Sequence, residues 1–148
     1  MRVIFGADQG GYELKNILLK HLSELGYEIE DLGINEAKSI DYPDIARDVC
    51  RRVLEKKADF GVICCGTGIG VSIAANKIKG IRAAHLSDCF SARMAREHNN
   101  ANIITFGGRT LGSELAVAMM DAFISASFAG GRHQRRVDKI MALEREEK

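Results

Sequence analysis

A chain of 148 residues, 46% hydrophobic and 28% charged, has the length of one ordinary domain and the balance of a soluble globular protein. Its net charge of +1 argues against a strongly basic nucleic-acid binder, although a local basic patch stays open, and no apolar run approaches the ~20 residues of a membrane-spanning helix. Four cysteines (Cys50, Cys64, Cys65, Cys89) have neither metal-ligand spacing nor the density of a disulfide framework, and MRVIFGADQGG runs straight into strand-like sequence without a signal-peptide core. A reduced, cytoplasmic enzyme-sized domain without a metal is the expectation.

In chain order, RVIFGA (2–7) predicts a strand. Leu14, Ile17, Leu18, Leu22 and Leu25 then recur at helical spacing, and Gly26 is a natural stop. YEIEDLG alternates as a strand does. INEAKSIDYPD reads as a polar loop, and its Pro43, the chain's one proline, suits the first turn of a helix with Ala46, Val49, Cys50, Val53 and Leu54 on its apolar face. FGVICC (60–65) is a continuous buried-type strand, followed by a glycine turn and a helix to about Ile78. IRAAHL and NIITFG are two further strands separated by the helix DCFSARMAREH. Two helices close the chain, from about Leu111 and from about Arg132 to 145, with EREEK as a frayed end.

Strands alternating with helices require crossover connections. They predict one three-layer α/β/α, Rossmann-like domain over residues 1–148, with a five-stranded, mostly parallel sheet. The helix from Leu111 carries two apolar stripes, one of Leu111, Leu115, Met119 and Ala122, the other of Val117, Met120 and Ile124. A helix apolar on two faces is usually buried on both, here by central packing or by a second subunit.

In open parallel sheets, ligands bind outside the carboxyl ends of the strands. Those ends deliver Asp8 and Gln9, then Cys65, Gly66, Thr67 and Gly68, then Ser87 and Asp88, then Gly107, Gly108 and Arg109. Asp88 is the acid a dinucleotide site would want, but GTGIGV has Val71 where that fingerprint needs its third glycine, and no Gly-Lys-Ser/Thr follows to make a phosphate loop. The unpaired N–H groups at the start of the next helix still suit an anion, either a phosphate or an enediolate formed during a reaction. Cys65 stands at the mouth of this turn, in a field that favours thiolate over thiol and suits a general base or nucleophile. The plain alternative is that Cys65 fills the core, as Cys50, Cys89 and the oppositely facing Cys64 are expected to do. His98 and Asn99 fall between a helix and a strand, in a pocket or in a solvated turn. Arg132 and Arg136 share a helical face at i, i+4, a spacing that suits a phosphate and also occurs on solvated surfaces.

With DYPD (41–44), CGTGIGVSIAANK (65–77), GIRAA (80–84), HNNANI (98–103) and GGRHQRRV (130–137), the chain resembles the ribose-5-phosphate isomerase B family, which includes galactose- and allose-phosphate isomerases. The resemblance runs from Arg2 to about Leu143 and implies aldose–ketose isomerisation of a sugar phosphate through an enediolate, without metal or organic cofactor. It implies that Cys65 is the base, and that the backbone N–H groups of Gly66, Gly68, Ile69 and Gly70, with Thr67, stabilise the enediolate. By the same resemblance His98, assisted by Asp8, opens the sugar ring, Asn99 hydrogen-bonds the substrate and Tyr42 lies against it. Arg109, Arg132 and Arg136 would hold the phosphate, with His133 as a helper. Homodimers or tetramers with pockets shared between subunits are implied too; from charge and hydropathy, neither a nucleic-acid nor a membrane partner is expected.

One branch of that family uses a glutamate six residues after the cysteine position; Val71 stands there, so the chain resembles the cysteine type. The family usually has Asp-His where this chain has Asp8-Gln9. Glutamine can hydrogen-bond a substrate but cannot transfer a proton at neutral pH. Ribose 5-phosphate is the first substrate expected, with allose 6-phosphate, galactose 6-phosphate or a tetrose phosphate as alternatives. A non-catalytic sugar-phosphate sensor and a nucleotide-binding module are the rival readings; in a sensor, a thiol beside an anion hole would be idle.

Overall fold

The computed structural model describes residues 1–34, 38–55 and 58–146. The runs Arg2–Ala7 (β1), Phe60–Cys65 (β3) and Ile103–Gly107 (β5) are almost wholly buried, as strands covered on both faces must be. The more polar Glu28–Asp31 (β2) and the short Ala83–His85 (β4) form the edges. All pairings are parallel, in the order β2-β1-β3-β5-β4. The helices are Tyr12–Glu24 (α1), Tyr42–Leu54 (α2), Ile69–Asn76 (α3), Cys89–Glu97 (α4), Ser113–Ile124 (α5) and Arg132–Ala142 (α6), and a 3₁₀ turn spans Leu143–Arg145.

Alternation along the strands divides the core in two. Val3, Phe5, Val62, Cys64 and Phe106 face one way and pack with Leu14, Leu18, Leu22, Ala92, Met119 and Phe123 of α1, α4 and α5. Ile4, Ile63, Cys65 and Ile103 face the other way and pack with Ile45, Ala46, Val49, Cys50, Val71 and Ala75 of α2 and α3. The two adjacent cysteines thus lie in different layers, and the expected α/β/α sandwich is present.

Several boundaries differ from the sequence reading. Ile17 (41%) of the first helix is exposed, as is Leu54 of the second, because a helix laid on a sheet buries a narrower stripe than its apolar pattern allows, and Leu25 (55%) falls outside α1, as its C-terminal cap. Leu111 precedes α5, whose buried stripe is Ala116, Met119, Met120 and Phe123, running between the two predicted stripes, while Leu115 is exposed. The strand read from IRAAHL shrinks to three residues and α3 stops at Asn76. Residues 35–37 of the polar loop and 147–148 of the C-terminal end lie outside the described residues.

A feature the sequence reading missed is Lys15, which is fully buried. Its Nζ donates to both carboxylate oxygens of Asp31 (3.0 and 2.9 Å) and to the carbonyl of Ile34 (2.7 Å). The turn so anchored is laced to the end of β1, where the Ala7 N–H donates to the Gly33 carbonyl and the Ile34 N–H to the Ala7 carbonyl. Lys15→Met leaves these acceptors without their cation and is expected to cost ~2–4 kcal/mol, the lower end because Asp31 is partly solvated. Urea unfolding checks this; a midpoint unchanged from wild type would refute it.

Candidate active site

From β1 the chain crosses to β2 on one side and then to β3 on the other, so the sheet's switch point lies between the carboxyl ends of β1 and β3. Asp8 leaves the first of these ends. It is buried, and its Oδ1 accepts the N–H groups of Gly10 (2.9 Å) and Gly11 (3.2 Å), folding the loop back on itself. A Cβ on Gly10 would come within 2.8 Å of the Gly66 nitrogen, so glycine is what lets the two loops touch.

Cys65 ends β3 with its side chain buried. Its Sγ accepts the N–H of Gly68 at 3.1 Å. Gly68 caps α3 in the left-handed conformation (φ +78°), and a side chain there would collide with the His85 ring and the Phe106 backbone. The hydroxyl of buried Thr105 donates to the Gly68 carbonyl (2.8 Å) and lies 3.4 Å from His85 Nδ1, fastening the turn to β5. Thr67 is exposed at the tip, its Oγ1 accepting the Ile69 N–H at 3.2 Å. The sulfur therefore shares the start of α3 with backbone donors, where a developing negative charge is favoured.

The remaining neighbours close around this turn. The N–H groups of Gly108 and Arg109 donate to the carbonyls of Cys65 and Gly66 (2.8 and 2.9 Å), and the Arg109 guanidinium stands over Gly66, 3.2 Å from where a Cβ would be. The Tyr42 ring lies against Gly70, where a Cβ would approach it to 2.6 Å. Gln9 is exposed, and its Oε1 accepts the Ile40 N–H (3.0 Å), tying down the loop that leads to Tyr42. Asp8, Gln9, Tyr42, Cys65 to Gly70 and Arg109 thus occupy one rim.

The other cysteines differ. Burial, with smaller contributions from Cys65 and Asp8, pushes the Cys64 thiol far up despite Lys15, and burial pushes that of Cys50 up to about 12. Both stay protonated in the core. Asp88 instead caps α4: its carboxylate accepts the N–H and hydroxyl of Ser91 (2.6 and 2.8 Å), bonds that hold it below the usual carboxylate range. It is occupied structurally, and with Val71 packed in the core nothing of the dinucleotide fingerprint remains beyond the turn.

His98, Asn99, Arg132, His133 and Arg136 lie elsewhere. His98 ends α4, and its ring stacks on that of His133 (centroids 4.1 Å apart, 8° between planes). His133 is buried; desolvation first, then His98, Arg132 and Arg136, push its imidazole below the ordinary value, with Glu97 opposing. The Ala129 N–H donates to the Glu97 carbonyl (3.0 Å) and brings α6 to this place. Asn99, Arg132 and Arg136 are exposed. β5 begins beside Gly61 and ends beside Cys65, and the Asn102 carbonyl just before it accepts the Gly61 N–H. The His98 cluster is therefore at the edge where strands start, and the thiol at the edge where they finish, about 13 Å away along the strands. One chain does not bring the two sets together. The signal for this was in the sequence: His98 precedes a strand and Cys65 ends one.

Thr105 and His85 were missed, although a lone threonine in the apolar run NIITFG was a usable signal. Among the described residues, no group of three or more His, Cys, Asp or Glu side chains is arranged to hold a metal ion, and no helix is long and apolar enough to cross a membrane.

Residues 3–140 match the family model described as Ribose/Galactose Isomerase. The chain is 44% identical over 143 residues to ribose-5-phosphate isomerase B of Escherichia coli, covering 97% of this chain and 96% of that protein. It is similar to the solved ribose-5-phosphate isomerase B of Clostridium thermocellum (TM-score 0.96, 46% identity, 98% of each chain). A second similar structure is the Mycoplasma genitalium enzyme with bound ribulose-5-phosphate (TM-score 0.94, 39% identity, 99% of this chain and 97% of that one). With all of the sheet but Arg2 and both rims inside the matched span, the chain belongs to the ribose/galactose isomerase family.

Proposed function

We propose that this protein interconverts ribose 5-phosphate and ribulose 5-phosphate, with Cys65 as the base. The observation that carries the reading is the Cys65 sulfur at the start of α3, hydrogen-bonded by the Gly68 N–H at 3.1 Å. The thiolate takes the proton from C2 of the open-chain aldose. Charge passes to the oxygen on C1, where the N–H groups of Gly66 to Gly70 and the Thr67 hydroxyl receive it. The proton returns at C1 and the hydroxyl proton moves from O2 to O1, leaving the ketose. Asp8 and His98 open the ring, Asn99 and Tyr42 hold the sugar, and Arg109, Arg132 and Arg136, with His133, hold the phosphate.

The separation of the two rims supports a site shared between two copies of the chain: Cys65, Asp8 and Arg109 from one, His98, Asn99, Arg132 and Arg136 from its partner. The partner is therefore a second copy, in a homodimer or a larger even assembly, working in the cytoplasm. Gln9 in place of the family's usual histidine supports a broadened substrate range, since its carbonyl is committed to Ile40 and its NH₂ remains as a donor.

Incubation with ribose 5-phosphate in D₂O, followed by NMR, tests the reading. The C2 proton is expected to exchange as ribulose 5-phosphate forms, and allose 6-phosphate and erythrose 4-phosphate run alongside define the range. Binding of all three without exchange, by a folded and assembled protein, would overturn the reading in favour of a sensor.

A further inference from the structure

The rim that carries His98 also holds an arginine that neither the reaction scheme nor the phosphate clamp uses. Arg82 lies just before β4 and is half-buried. Its Nε donates to the Asn99 carbonyl (3.1 Å), its Nη2 to the Asn100 carbonyl (2.8 Å), and its Nη1 reaches Met141 Sδ on α6 (3.4 Å). Its own backbone is fixed from both sides, the N–H donating to Asn102 Oδ1 (2.8 Å) and the carbonyl accepting the Asn102 N–H (3.1 Å).

The turn it grips is one that needs holding. Among the described residues, Asn100 is the one non-glycine residue at positive φ (+44°), a conformation kept only where the surroundings impose it. The carbonyls just past the end of α4 sit at the negative end of the helix dipole and have no partners within the helix, so a cation suits them. A second guanidinium helps: Arg96 Nη1 donates to Asn100 Oδ1 (2.9 Å) while its head lies over Phe123 (4.3 Å) and Phe60 (5.8 Å), against the rigid core. Arg82 adds something Arg96 does not, because the same planar head that spans two consecutive carbonyls also touches α6, the helix that carries Arg132, His133 and Arg136.

We propose that Arg82 is a positioning residue for the isomerisation: by holding the Asn99–Asn100 carbonyls and Met141 together, it sets the His98 imidazole in register with the phosphate-binding face of α6. The inference rests on the role assigned to His98 above. Arg82 touches no reacting atom. Its contribution lies in the imidazole alone, which is held in register with the bound phosphate for ring opening, and a misplacement near 1 Å at such a site costs on the order of 10²-fold in rate.

The test is a double-mutant cycle on ribose 5-phosphate turnover, with Arg82→Met, His98→Asn and the pair, each checked for melting temperature and oligomeric state. Arg82→Met is expected to lower kcat/KM by about 10- to 100-fold in the wild-type background and by less than about 2-fold in the His98→Asn background, where no imidazole is left to position. Arg82→Lys keeps the charge without the planar fork and is expected to recover only part of the loss; it carries the cycle in place of Arg82→Met if that variant does not fold. Equal fold-losses in both backgrounds would overturn the inference, as would wild-type turnover in Arg82→Met. A silent His98→Asn would instead overturn the role of His98, and this inference with it, so the two failures are told apart.

Discussion

Cys65→Ala is expected to lower kcat by about 100-fold or more with little change in KM, as loss of a positioned acid–base group does. The substitution removes the sulfur that meets the Gly68 N–H but leaves the backbone donors, Thr67 and Arg109 in place, so substrate still binds. Exchange of the C2 proton in D₂O should fall by the same factor as ketose formation, because both pass through the same proton abstraction. Cys64→Ala is the control: its side chain lies in the opposite layer, among Leu14, Leu18 and Phe106, and its loss should leave turnover nearly unchanged. Near-normal turnover in Cys65→Ala would remove the thiol from the mechanism.

Mixing Cys65→Ala with His98→Asn is expected to restore activity that neither variant has. If each site takes its thiol from one chain and its imidazole from the other, a mixed dimer has one intact site and one doubly damaged site. Random reassortment makes half of the dimers mixed, so about a quarter of the wild-type activity should return. Steady-state assay after co-expression or after unfolding and refolding the two together measures it. Activity no higher than the average of the two variants would show that the two rims do not meet across an interface. The physical basis is the length of β3 and β5, which holds the two sets apart within a chain however the loops move.

The fold was largely legible because its signals are local and repeated. Runs such as FGVICC and RVIFGA are too apolar for anything but strands covered on both faces, and β1 and β3 begin and end where those runs do. Gly26, Pro43 and the glycine turn punctuate the helices for equally local reasons. Legibility dropped where burial depends on the facing surface. Ile17, Leu25 and Leu54 look like core in the chain and lie in solvent in the fold, while Lys15 looks like surface and is fully enclosed. Nothing in a helical pattern announces that a lysine will meet Asp31 and Ile34 at its tip.

The candidate site divides along the same line. By itself the sequence determined the strand order in the chain, the anion-seeking turn after β3, the cysteine at its mouth, and motifs enough to place the chain in its family, because each depends on residues adjacent in the chain. Only the tertiary structure decided what those residues meet: that the Cys65 sulfur receives an N–H from Gly68, that Thr105 fastens the turn, that Asp88 is a helix cap, and that His98 stacks on His133 beside Arg82 at the far edge of the sheet. The reason is that a parallel sheet sends every strand end to one edge and every strand start to the other, so residues close in function sort by which side of a strand they occupy, and only packing shows the distance between them.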